Sequence, residues 1–148
     1  MNLDIDRLHD CIDKIKGSES IERQIGVTTA YKYLMLDEVL GGAPYNQYVY
    51  ISHNLIHARQ VALEFAKMIN QTNQPIYDIN IIYNGGAVIV CVNHQSYSFI
   101  GYRTATDDTD YPAFWRGRNI NRVFVDYRLY NLPKAIKALI YSRGADIV

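Results

Sequence analysis

Two cysteines in 148 residues, Cys11 and Cys91, are too few and too far apart to staple a fold, which excludes a disulfide framework. No cysteine–histidine cluster has zinc-site spacing. The N-terminus carries acids and no apolar signal-peptide core, and no run of about 18 apolar residues exists to span a membrane. A cytoplasmic protein without membrane contact is the default expectation. Neither sign of charge is in excess: 15 Lys and Arg balance 15 Asp and Glu. Global electrostatics therefore give no push toward nucleic acid, and any such binding must rest on a local patch. No serine stands in a G-x-S-x-G turn and neither cysteine pairs with histidine in a nucleophile pattern, so no catalytic residues are expected. His53 and His57, four apart, lack the carboxylate of a metal set, and no metal site is expected there.

With 49% hydrophobic and 20% charged residues, the chain has the composition of one ordinary globular domain, residues 1–148. Thirteen tyrosines against four phenylalanines and one tryptophan are unusual; rings with a polar tip suit binding surfaces as well as cores. Leu3, Ile5, Leu8, Ile12 and Ile15 form a helical stripe, so residues 1–17 read as an appended helix ahead of a core over 18–148. A second helix is expected to start at Thr28 or Thr29 and to stop at Gly41-Gly42, with Pro44 beyond. Residues 47–52 are a β-rich run, and Asn54 can cap an amphipathic helix over 55–70. Residues 77–83 and 87–93 read as an antiparallel hairpin, because Asn84-Gly85-Gly86 supplies the positive φ angles of a tight turn. A third strand is expected over 96–103, a polar loop over 104–119, a buried strand over 122–127 and a closing helix over 133–143.

The segment Glu22 to Thr29 (ERQIGVTT) has the pattern of a phosphate-binding loop without its lysine. Such a loop needs glycine so that backbone amides can surround phosphate, a lysine for the β- and γ-phosphates, and a hydroxyl for magnesium. Gly26 and Thr28 stand at the glycine and hydroxyl positions, and Val27 at the lysine position. About a hundred residues on, Arg122-Val123-Phe124-Val125-Asp126-Tyr127 is an apolar strand ending in an acid. Together the two segments resemble the ATPase core of tailed-phage terminase large subunits and their RecA-like helicase relatives, over about residues 20–130. In that family the loop reads R-Q-x-G-K-T and the second strand ends Asp-Glu. Tyr127 stands here for the glutamate that polarises the attacking water. The resemblance implies an α/β, three-layer P-loop-like core with a mixed sheet. Strands 47–52 and 122–127 would form the parallel centre, the 77–103 strands an antiparallel hairpin edge, and the N-terminal helix an addition.

By that resemblance Arg23, Gln24, Gly26, Thr28, Thr29 and Asp126 are the residual nucleotide-binding residues, with no cofactor expected beyond a magnesium–nucleotide complex. A local nucleic-acid signal lies in Arg103, Trp115, Arg116, Arg118 and Arg122, where arginines interleave with aromatics, as phosphate pairing and base stacking require. Asp107, Asp108 and Asp110 oppose it as solvated turn residues, and with no net charge the loop reads equally as a solvated one in which Trp115 plugs the core edge. Three functions remain open. The first is a non-hydrolysing P-loop-like binding protein, of phage origin, acting on nucleic acid or on a nucleic-acid-handling machine. The second is an interaction protein that inhibits a host or phage enzyme. The third is a weak NTPase dependent on a partner.

Overall fold

The computed structural model describes residues 24–41, 45–72, 79–106, 113–116, 118–126 and 132–148. The expected helix over 1–17, Arg23, the Asp107, Asp108 and Asp110 turn, and Tyr127 lie outside the described residues. The elements are α1 (Gln24–Gly41), β1 (Gln47–Ser52), α2 (Leu55–Asn70), β2 (Asn80–Asn84), β3 (Ala87–Val92), β4 (Gln95–Gly101), the short α3 (Tyr102–Thr106), a 3-10 turn (Ala113–Trp115), β5 (Arg122–Asp126), α4 (Lys134–Ser142) and β6 (Asp146–Ile147). The six strands form one sheet in the order β2-β3-β4-β1-β5-β6.

β1 pairs in parallel with β4 on one side and β5 on the other, and β6 extends the parallel part beyond β5. β2 and β4 each run antiparallel to the β3 between them, with Asn84 opposite Ala87 across the expected turn, where Gly85 has φ +56°. The parallel centre and the antiparallel edge are thus both present. β4 has a double role: it ends the antiparallel run and opens the parallel one.

Alternation along each strand divides the core into two layers. Tyr48, Tyr50, Val88, Val90, Tyr97, Phe99 and Phe124 pack under α1 and α2. Val49, Ile51, Ile100, Val123 and Val125 point the other way, against α3, the 3-10 turn and α4 through Ala105, Trp115, Ile136 and Ile140. A sheet covered on both faces is the three-layer arrangement, and it explains why β1 is buried at nearly every position. α1 is tied to the sheet at both ends of β5. The Tyr31 hydroxyl donates to the carbonyls of Val125 (3.0 Å) and Val148 (2.7 Å). Glu38 accepts from Arg122 at 2.8 Å at the opposite end of β5.

Three expectations need correction. α1 begins at Gln24 rather than Thr28, so Gly26 is wound into its first turn instead of lying in a loop. Extending the helix upstream gives the amides of residues 28–31 carbonyl partners, which outweighs the roughly 1 kcal/mol a glycine costs in a helix. The strand expected over 96–103 stops at Gly101 and turns into α3, and part of the polar loop is ordered as the 3-10 turn. The closing strand β6 was not expected; its two residues carry no pattern of their own, and it forms because β5 offers it an edge. Among the described residues no helix is long and apolar enough to cross a membrane.

Candidate functional site

The parallel register sets Ser52 beside Asp126 at the carboxyl ends of β1 and β5, and both side chains take the α1 and α2 face with Tyr50 and Phe124. Asp126 is buried, 3% exposed. The Thr28 hydroxyl donates to its Oδ2 at 2.5 Å, across 98 positions of sequence, and the Tyr50 hydroxyl donates to the same oxygen. Burial, and then the Asp126 carboxylate, push the Tyr50 phenol pKa well above its ordinary value, so it stays protonated as the donor.

An open pocket of about 390 Å³ lies over this pair, lined by Thr28, Thr29, Lys32, His53, His57, Glu64 and Asp126. Lys32, one turn beyond Thr28 on α1, pairs with Glu64 of α2 at 2.8 Å, which holds the Glu64 carboxyl below its ordinary range. Asn54 caps α2 as the sequence suggested, its side chain accepting from the His57 amide at 2.7 Å. That cap places His57 so that its Nδ1 shares a hydrogen bond with Ser52 Oγ, while His53 lies 4.9 Å away, centroid to centroid. Burial depresses the His57 pKa, only partly opposed by Asp126, and His53 lowers it further.

The sign of that shift gives a testable pH dependence. A histidine with a depressed folded pKa stabilises the fold fully above its unfolded value of about 6.5, and the contribution is lost as pH falls through the folded pKa. The protein is expected to lose more unfolding free energy between pH 7 and pH 5 than His57→Gln does, measured by urea denaturation. Equal losses in the two proteins would show that His57 does not titrate across folding.

The residues implied for nucleotide binding are only partly brought together. Thr28, Thr29 and Asp126 share the pocket; Gln24 and Gly26 lie on the first turn of α1. The donors facing it fit a hard cation, since a hydroxyl and a carboxylate are oxygen ligands of the type magnesium takes alongside phosphate and water. Lys32, Tyr50, Ser52, His57 and Glu64 were not singled out for this role. Lys32 had a signal, lying four residues from Thr28 on one helix face, whereas Tyr50 and Ser52 become site residues only through strand register.

The arginine and aromatic set is dispersed, contrary to expectation. Trp115 is 2% exposed and its indole N–H donates to the Ala105 carbonyl at 2.9 Å, so the ring fills the core and offers no face to a base. Arg122, at the amino end of β5, pairs with Glu38 at 2.8 Å and approaches Asp146 at 3.7 Å. Arg103 follows the carboxyl end of β4, at the opposite end of the sheet from Arg122. Arg116 is exposed, and Arg118 is half-buried over the Phe114 ring, 4.4 Å from its centroid.

Comparison with known proteins agrees with this layout. The family model of the terminase large subunit, T4likevirus-type, N-terminal, matches residues 21–127, close to the span over which the motifs were recognised. Among solved structures, the large terminase ATPase domain of Thermus phage P74-26 superposes with a TM-score of 0.55 at 15% identity, covering 84% of this chain and 55% of that one. The large terminase of the thermophilic bacteriophage D6E gives a TM-score of 0.48 at 11% identity, covering 88% of this chain and 31% of that one. At such identity the P74-26 likeness is one of fold, and this chain spans little more than half of that protein's length. No curated protein matches the sequence. The family match covers well over half of the chain, including both the Gly26–Thr28 segment and the strand ending at Asp126, and the protein belongs to the T4likevirus-type terminase large subunit N-terminal family.

Proposed function

We propose that this chain is a terminase-type ATPase core that no longer turns over nucleotide and acts by binding within a nucleic-acid-handling machine of the DNA-packaging kind. The observation that carries the reading is the Thr28–Asp126 contact, 2.5 Å across 98 residues, in a chain with valine at position 27 and tyrosine at 127. The hydroxyl and carboxylate that would hold magnesium meet, and the two groups that would drive chemistry are replaced. A magnesium ion held there would supply neutralisation of phosphate charge. Valine gives no ammonium for that charge, and tyrosine is a poor base near neutral pH because its phenol ordinarily titrates near 10. Lys32 is one turn away and already paired with Glu64, so it does not restore the missing charge where the loop needs it.

The test is phosphate release from magnesium ATP and GTP, with and without DNA. The purified protein is expected to give none above blank. Val27→Lys alone is expected to give none either, because the water-polarising carboxylate is still missing. Robust magnesium-dependent release by the unmodified chain, abolished by Asp126→Ala, overturns the reading.

A further inference from the structure

We infer that a second cleft, formed by the β2–β3 turn, α3 and the residues Phe114 and Arg118, binds the phosphate backbone of a nucleic-acid strand. The inference rests on the nucleic-acid-handling part of the function proposed above. The cleft has a volume of about 530 Å³ and is lined by Arg103, Arg118, Phe114, Thr104 and the Asn84–Ala87 turn, with no acidic side chain in its lining among the described residues. It sits beyond the carboxyl end of β4, at the same end of the parallel strands as the Thr28–Asp126 pocket but separate from it. Of the five residues first singled out for nucleic acid, only Arg103 and Arg118 line it.

Both guanidinium groups are available. Arg103 is exposed and makes no ion pair among the described residues. Arg118 spends its Nε on the Phe114 carbonyl at 2.7 Å and sets its Cζ over the Phe114 ring, which positions the group while its two terminal nitrogens take no part in a described hydrogen bond. A planar guanidinium held in this way matches phosphate geometry, and less conformational freedom is lost per bond formed. Arg122 differs, being neutralised by Glu38.

The walls are braced from behind. Arg143 Nη1 donates to the carbonyls of Trp115 (3.0 Å) and Arg118 (2.6 Å), so α4 fixes the segment that carries Arg118. The Trp115 indole ties that segment to Ala105 of α3, two residues from Arg103. On the third side a Cβ at Gly86 would lie 2.6 Å from Thr104 Oγ1, so the turn seats closely against α3 and a larger residue there would have to displace the Thr104 side chain. Arg118 is therefore held in place and Arg103 projects from a braced segment, the two flanking an open cleft. The buried Trp115 supplies no stacking, which makes backbone phosphates rather than bases the recognised group and sequence-independent binding the expectation.

The experiment is fluorescence anisotropy of the full chain with labelled single-stranded DNA over roughly 50–200 mM salt. Arg103→Gln with Arg118→Gln is expected to weaken binding at least tenfold at the lowest salt. The slope of log affinity against log salt should fall by about 1.4, the value for two single-strand phosphate contacts. The exposed Arg103→Gln alone, which disturbs no packing, is expected to lose severalfold affinity and about half of that slope change. Lys67→Gln with Lys134→Gln removes the same charge elsewhere and is expected to change little; an equal loss there overturns the cleft as the site. Displacement of the DNA by inorganic phosphate at matched ionic strength would make this a small-anion site and overturn the inference. Binding untouched by the arginine changes overturns the cleft and leaves the nucleic-acid reading standing. Absence of DNA binding by the unmodified protein overturns both.

Discussion

Trp115→Ala is expected to remove about 3–5 kcal/mol of folding free energy, the range for truncating a large buried aromatic. Its ring packs in the lower core layer with Ala105 and Ile120 and meets the Phe114 ring edge-on at 5.0 Å. Removing the indole opens a cavity and strips the Ala105 carbonyl of its donor. Small domains have only about 5–15 kcal/mol in total, so the variant should sit near the limit of folding. Trp115 is the sole tryptophan, so far-UV circular dichroism in urea is the appropriate readout. Trp115→Phe, which keeps most of the apolar surface and loses the N–H, should fall between the two. An exposed ring would cost within about 0.5 kcal/mol, and that result would return Trp115 to the surface.

Gly101→Val carries the second large effect, by crowding rather than by a void. A Cβ at Gly101 would lie 2.9 Å from the Leu55 nitrogen and 3.0 Å from the Asn54 carbonyl carbon. Both are main-chain atoms of the α2 entry, which cannot rotate aside as a side chain can. Overpacking of this sort costs typically about 1–3 kcal/mol, and a backbone obstacle puts the expected loss at the upper end of that range. The displaced element is the one that carries the Asn54 cap and His57, so the damage should reach the pocket. Freed from burial, His57 is expected to titrate closer to its ordinary pKa, upward from its depressed value, as followed by NMR of the ring protons. Stability within about 0.5 kcal/mol of the parent and an unmoved His57 titration would mean that α2 is not seated on β4 as described.

What the sequence could disclose follows from how local each cause is. Asn84-Gly85-Gly86 determines its own turn, and Asn54 its own cap, so both were readable directly. The parallel pairing of β1 with β5 was readable because the apolar character of both strands demanded burial on two faces, and the family motifs ordered them. The convergence of Thr28 on Asp126 followed from the same motifs. Trp115 was misplaced because arginines surround it in sequence, while its real partner is the carbonyl of Ala105, a group every residue has and no pattern marks. The start of α1 was missed because a glycine and two threonines suggest a boundary, whereas the helix continues through them at small cost. Tyr50 reaches Asp126 and Ser52 reaches His57 through strand register, and Glu64 enters the pocket through helix packing, all of which exist only once the sheet does.

The placement of β1 also bears on how the molecule assembles. β1 finds both of its partners later in the chain, β4 and β5, and the Asp126 contacts to Thr28 and Tyr50 close loops of 98 and 76 residues. Bringing such distant segments together costs loop entropy before any contact repays it, and chains dominated by pairings of this kind fold slowly. The β2–β3 hairpin, closed by a two-residue turn, can form within microseconds, whereas the Thr28–Asp126 pair requires the finished sheet. A ligand that needs those two residues together thus selects only molecules that have completed folding, and it raises the unfolding midpoint of the whole sheet rather than that of one helix.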